Sequence, residues 1–256
     1  MTSRRTALGS LSAAVAAIGL ARAAAASPSA PLVQNGAKSL DALTAKLAAF
    51  EPRRDYKTVP MILVDRADWD ADALDAVLRY TGGPKQSWDN TDLSGPWLTL
   101  MRNAMNSQIW AFRHPDFLCV SATRGSAQLA LYDDTIWEKY ALAKAAGGGV
   151  TKNTFVAAKP ASSADPADIQ NVKGPFSSAA NSIEGLQRRG ALFLACHNAA
   201  WELSGRLIAD GTNPDKLTTD ALCAELSNHL IPGVIMTPGA VGTLAELAVA
   251  GFSYAR

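Results

Sequence analysis

The stretch ALFLACHNAAWEL, residues 191–203, runs an apolar segment into Cys196, then His197, and then directly into helical spacing. Residues 191–195 suit a short buried strand, since a buried helix needs about ten residues or more. Gly190 stops a helix read over 178–189, and the next helix is expected over 198–209. The stretch is therefore helix, strand, helix, with a cysteine closing the strand.

The same alternation continues on both sides. Toward the C-terminus, residues 221–230 form a helix carrying Cys223, 234–236 a strand and 242–250 a last helix, with Thr237-Pro238 as an earlier starting point for it. Toward the N-terminus, Leu40, Leu43, Leu47 and Phe50 share one helical face. VPMILV, residues 59–64, is the first strand candidate, weakened at its start by Pro60. Residues 70–80 are a helix start rich in acids, 96–109 a helix with Trp97, Leu98, Met101, Met105 and Ile109 on one face, 117–123 (FLCVSAT) a second strand, and 133–145 a further helix. Short apolar strands alternating with amphipathic helices predict a three-layer α/β fold with a mainly parallel sheet.

Composition removes several classes of function. At 256 residues, 48% hydrophobic, 18% charged and net charge +1, the chain has no basic excess for nucleic acid and no lysine run for anionic lipid. A small-molecule or protein partner fits better. The acidic group Asp65, Asp68, Asp70, Asp72 and Asp75 lacks the central Gly and final Glu of a calcium loop and reads as helix N-terminal charge. Gly147-Gly148-Gly149 lacks the Gly-Lys-Ser/Thr ending of a phosphate loop, so residues 147–174 read as an inserted, exposed and flexible connection.

Residues 1–27 read as an export signal: Arg4-Arg5, a modestly apolar Ala-rich stretch shorter than the ~20 residues of a spanning helix, and small residues for cleavage. The paired arginines resemble a twin-arginine signal and imply a periplasmic protein, with no membrane contact after cleavage. Residues 28–55 form a leader and helix, and 56–256 a single α/β domain.

Cys119 reads as a core residue inside its strand. Cys196 stands where reactive groups gather in such sheets, beyond a strand's C-terminal end, and the unpaired N–H groups of the following helix favour negative charge on its sulfur. His197, when protonated, would act the same way. Two readings of Cys196 stay open: a reactive thiol, or a small hydrophobe packed under the next helix. A Cys196–Cys223 disulfide is a third arrangement, and a metal site from Cys196, His197, Cys223 and His229 is disfavoured by the adjacency of Cys196 and His197. No cofactor is called for.

The run from Leu186 through Gly190 to Cys196-His197-Asn198 resembles the segment of DsrE-like proteins in which a helix ends at Gly, a strand follows, and a cysteine closes it ahead of an Asn. The run VIMTPGAVGTLAEL, residues 234–247, with Gly251-Phe252-Ser253-Tyr254, looks like that family's last strand, turn, helix and closing Gly-aromatic-x-Tyr. The resemblance covers 184–256 well, is diffuse over 59–145, and is absent from the leader and 147–174. It implies a Rossmann-like or flavodoxin-like domain assembling as a homo-trimer or hexamer, and a cysteine, here Cys196, that carries sulfur as a persulfide between thiol or sulfane-sulfur partners. The alternative is a non-catalytic ligand-binding or assembly module, using the same strand-end cleft with Asn198, Thr237, Pro238 and Gly239.

Overall fold

The computed structural model of the protein describes residues 30–147 and 151–256. The expected signal over 1–27, and the periplasmic location inferred from it, fall outside the described residues, as do Gly148 and Gly149. In chain order, helices α1 (Lys38–Ala48) and α2 (Ala71–Leu78) precede strand β1 (Lys85–Asn90) and helix α3 (Trp97–Asn106). Strand β2 (Leu118–Thr123) is followed by α4 (Asp134–Lys139), α5 (Leu142–Ala145) and α6 (Ile183–Gln187). Then come β3 (Leu192–Cys196), α7 (His197–Ala209), α8 (Thr219–Asn228), β4 (Val234–Thr237), α9 (Ala240–Val249) and β5 (Ser253–Ala255).

The strands form one sheet in the order β4-β3-β2-β1-β5, with every pair parallel. Both faces are covered, so β3 and β4 lack a polar side and read as short apolar runs. On one face Phe193, Ala195 and Met236 pack with Trp97, Met101, Ile136, Leu203 and Leu222. On the other, Val120, Leu192, Leu194 and Ile235 pack with Leu40, Leu74, Val77 and Leu247. These are the three layers of a Rossmann-like or flavodoxin-like α/β fold.

The hand of the crossovers explains which helix goes where. From β1 to β4 the chain steps across the sheet in one direction, so right-handed connections put α3 to α8 on one face. From β4 to β5 it returns to the far edge, which puts α9 on the other face. Chains leaving the neighbouring ends of β3 and β4 thus part to opposite faces. It is at such a divergence that α/β sheets hold ligands, and Cys196 pairs with Thr237 there.

The strands differ from the expected set in three places. Residues 59–64 are not a strand: Val59 is buried, but Met61, Ile62 and Val64 are 55, 66 and 87% exposed. The first strand is the polar segment KQSWDN. Its polarity is satisfied inside the sheet, where the Asn90 amide donates to Ser121 Oγ at 2.8 Å and Ser121 Oγ lies 2.7 Å from Thr123 Oγ1. Ser253–Ala255 is also a strand, paired with β1.

Helix boundaries shift for local reasons. The helix expected over 133–145 divides at Ala141, whose φ of 49° is left-handed. Residues 178–189 divide into a 3-10 turn at Ser178–Ala180 and the short α6, capped by the Ser182 hydroxyl on the Gly185 N–H. Asp70, from the acidic group, closes the sheet edge: its carboxylate accepts from Met236 N–H at 2.6 Å and its own N–H donates to Met236 O. Arg54 holds that carboxylate bidentately and donates to Val234 O, so β4 presents few unpaired groups.

The connection after α5 is tied to the core at several points. Asn153 donates to Ala130 O and Tyr132 O, and the Phe155 and Val156 carbonyls accept from Ile183 and Glu184. Farther on it is open, with Val172 80% exposed. No helix among the described residues is long and apolar enough to cross a membrane.

Candidate functional site at the end of strand β3

Alternation along β3 sends Leu192, Leu194 and Cys196 to the α9 face. Cys196 is also the N-cap of α7, where its sulfur accepts the Ala199 N–H at 3.4 Å. The first residue of α9 adds a second donor, Ala240 N–H at 3.2 Å. Helix N-termini leave these N–H groups without intrahelical partners, and their positive end favours negative charge on whatever accepts them. One sulfur therefore serves the N-termini of two helices on opposite faces of the sheet. Ala122, Ala199, Ala240 and Leu244 surround it, and Cys196 is 4% exposed.

The backbone of Cys196 is held by Gln128. Its amide oxygen accepts the Cys196 N–H at 2.8 Å, and its amide nitrogen donates to Cys196 O at 2.9 Å and to the Tyr132 hydroxyl oxygen at 2.9 Å. Strand β2 pairs with β3 only as far as Thr123 opposite Ala195. The buried Gln128 side chain extends that ladder by one residue, after the chain has turned at Gly125 (φ 57°). Sequence periodicity carries no trace of this role, because glutamine in a short 3-10 segment has no spacing of its own.

Beside Cys196, the ends of β1, β2 and β5 add a charged group. Arg124 grips Asp89 through two hydrogen bonds of 2.8 and 2.9 Å, and Tyr254 donates to the same carboxylate at 3.1 Å. Burial pushes the Asp89 carboxyl up, but Arg124, Tyr254 and the charge of Arg256 hold it below the ordinary carboxylate value. Arg124, whose own value rises mainly through its bond to Asp89, lies within electrostatic reach of Cys196.

Of the residues expected at the site, Asn198, Thr237, Pro238 and Gly239 gather with Cys196. Thr237 is spent within the sheet, donating to Ala195 O at 2.8 Å. A side chain on Gly239 would approach the Asn198 amide nitrogen to 2.7 Å, so Asn198 and the turn close on each other. Pro238 is half-buried and Asn198 is exposed.

His197 is elsewhere. As the first residue of α7 it points away from Cys196, with Nε2 2.8 Å from Pro60 O and Nδ1 3.8 Å from Cys223 Sγ. A carbonyl only accepts, so Nε2 carries the proton and Nδ1 accepts the Cys223 thiol. Burial lowers the His197 pKa, against the opposing backbone contacts with Pro60 and Met61. His197 is thus a neutral strut between α7, α8 and residues 56–60.

Cys119, Cys196 and Cys223 are all free thiols. No group of three or more His, Cys, Asp or Glu side chains among the described residues is placed to hold a metal, and His229 instead pairs with Asp133 at 2.8 Å. No family model, curated protein or solved structure matches the chain.

Proposed function

We propose that this chain is a sulfur-relay protein of the DsrE-like kind, with Cys196 as the sulfur acceptor. The observation that carries the reading is the Cys196 sulfur at the divergence of β3 and β4, accepting N–H groups from the starts of α7 and α9. The Cys196 thiol gives its proton to water, and the thiolate attacks the outer sulfur of a sulfane-sulfur donor. The Sγ–S bond forms as the donor's S–S bond breaks, and the donor leaves with the electron pair as its own thiolate or sulfite. A second thiolate then takes the outer sulfur and regenerates Cys196. No outside oxidant enters.

Gln128 positions the backbone of the acceptor, while the Asp89–Arg124 pair sets the charge beside it. The reading brings with it the homo-oligomer of the resemblance and a protein or small-molecule sulfur donor. An exported, periplasmic setting would follow from residues 1–27.

The low exposure of Cys196 supports a second reading, a ligand-binding or assembly module in which this cysteine is inert. Intact mass after incubation with thiosulfate or a polysulfide separates them. A relay protein gains the mass of one sulfur atom in the wild type and none in Cys196→Ser. Absence of the gain in reduced wild type would overturn the relay reading.

A further inference from the structure

The guanidinium beside Cys196 has one edge that the fold leaves free. Residues in register on paired parallel strands point to the same face of a sheet. Asp89 is in register with Ala122, and Ala122 packs against Cys196 on the α9 face. Two residues on, Arg124 keeps an extended backbone and donates its N–H to Asn90 O, so alternation turns its side chain to that same face. One step beyond the pairing of Thr123 with Ala195, Arg124 stands level with Cys196.

Arg124 is fixed without being saturated. Its Nε and Nη2 hold the two oxygens of Asp89 at 2.8 and 2.9 Å, and Tyr254 adds a third hydrogen bond to that carboxylate. Both carboxylate oxygens are thereby engaged, whereas the Arg124 Nη1 hydrogens meet no acceptor among the described residues. The Asp89 side chain is 6% exposed and that of Arg124 33%, so the acid is buried while the cation meets solvent. We propose that Arg124 selects an anionic sulfur donor for Cys196, a thiosulfate-like sulfur oxyanion whose oxygens accept from its free edge.

This inference rests on the reading of Cys196 as the sulfur acceptor. A thiolate and a thiosulfate dianion repel each other as they approach, and more so beside a buried sulfur, where water screens poorly. As the Sγ–S bond forms and the S–S bond of thiosulfate breaks, the electron pair departs on sulfite. Guanidinium N–H groups make strong, charge-assisted hydrogen bonds to such oxygens. One already clamped by Asp89 needs no reordering to do so. An uncharged donor gains little from the same group.

Initial rates of sulfur uptake by the full chain, read by intact mass, test this with two donors: thiosulfate, and 2-hydroxyethyl persulfide, whose organic part is uncharged. Arg124→Gln should lower the ratio of the thiosulfate rate to the persulfide rate roughly tenfold or more, and Arg124→Lys should recover part of it. Taking the ratio cancels any effect of the substitution on the Cys196 thiolate or on the fold. In the wild type, raising potassium chloride from about 20 to 500 mM should slow uptake from thiosulfate, because attraction is then screened. A rise with salt would mean that repulsion goes uncompensated, and would overturn the proposal. So would an unchanged ratio in Arg124→Gln, or a wild type that takes sulfur from the persulfide and not from thiosulfate, and these results leave the relay reading standing. Uptake from neither donor would overturn the relay reading and this inference with it.

Discussion

Cys196 at the end of β3 and Cys223 in the contact between α7 and α8 are both buried, yet their sulfurs face opposite chemistry. Cys196 accepts two backbone N–H groups, whereas Cys223 lies against the unprotonated ring nitrogen of His197. Burial pushes the Cys223 thiol up to about 12, and the core residue Cys119 likewise. A thiol whose partner is an acceptor stays a thiol. The Cys196 sulfur instead meets two donors at helix N-termini. What a buried cysteine can do is set by which groups meet it, more than by how deeply it lies.

The largest effect should come from the turn that delivers Gln128 to Cys196. Gly125→Ala places a Cβ 2.7 Å from Thr91 O at a left-handed φ, at a cost of about 3 kcal/mol. A fall of roughly 6–12 °C in Tm is expected, and a fall under 2 °C would remove this turn from the account. Next is Gln128→Ala, which leaves the Cys196 N–H and C=O without partners and costs about 2 kcal/mol. It should speed thiol modification at Cys196 and not at Cys223. An equal effect on both would mean that the clamp is not local.

Cys223→Ala should cost about 1 kcal/mol in denaturant unfolding and leave sulfur uptake by Cys196 intact. Loss of uptake would couple the two regions. The smallest effects separate the two histidines by sign. Burial depresses the His197 value, so its contribution is full above the unfolded pKa near 6.5 and fades as pH falls, because the unfolded chain then binds the extra proton. The Asp133 hydrogen bond raises the His229 value, so its contribution is full below that pKa and fades as pH rises through the folded one. The His229–Asp133 pair is more than a third exposed, which holds it below about 0.5 kcal/mol. Unfolding midpoints from pH 5 to 8, measured with His197→Gln and His229→Gln, should lose slopes of opposite sign. Slopes of the same sign would refute the two assignments.

The regular C-terminal part was legible because its strands are buried on both faces and its helices are amphipathic, so Gly190, Cys196 and Thr237 fall where their patterns place them. Strand β1 was hidden for the opposite reason: Asn90, Ser121 and Thr123 satisfy one another inside the sheet, so no apolar run marks it. The apolar run VPMILV misled because, past Val59, its larger side chains are exposed in a loop held by His197 through Pro60. Chain order placed His197 beside Cys196, and the first turn of α7 carried it to the other side. Gln128 meets Cys196, and Arg124 meets Asp89, only through pairing of β1, β2 and β3, which spacing along the chain does not express.

The most direct test is the order in which the three thiols of the native protein react with a small alkylating agent, mapped by peptide mass. Cys196 should be modified first. Cys119 and Cys223 should be slower by about two orders of magnitude, as local opening costing about 3 kcal/mol would impose. Modification of Cys196 no faster than that of Cys223 would contradict the account, since its two N–H donors would then confer no reactivity that burial among acceptors withholds.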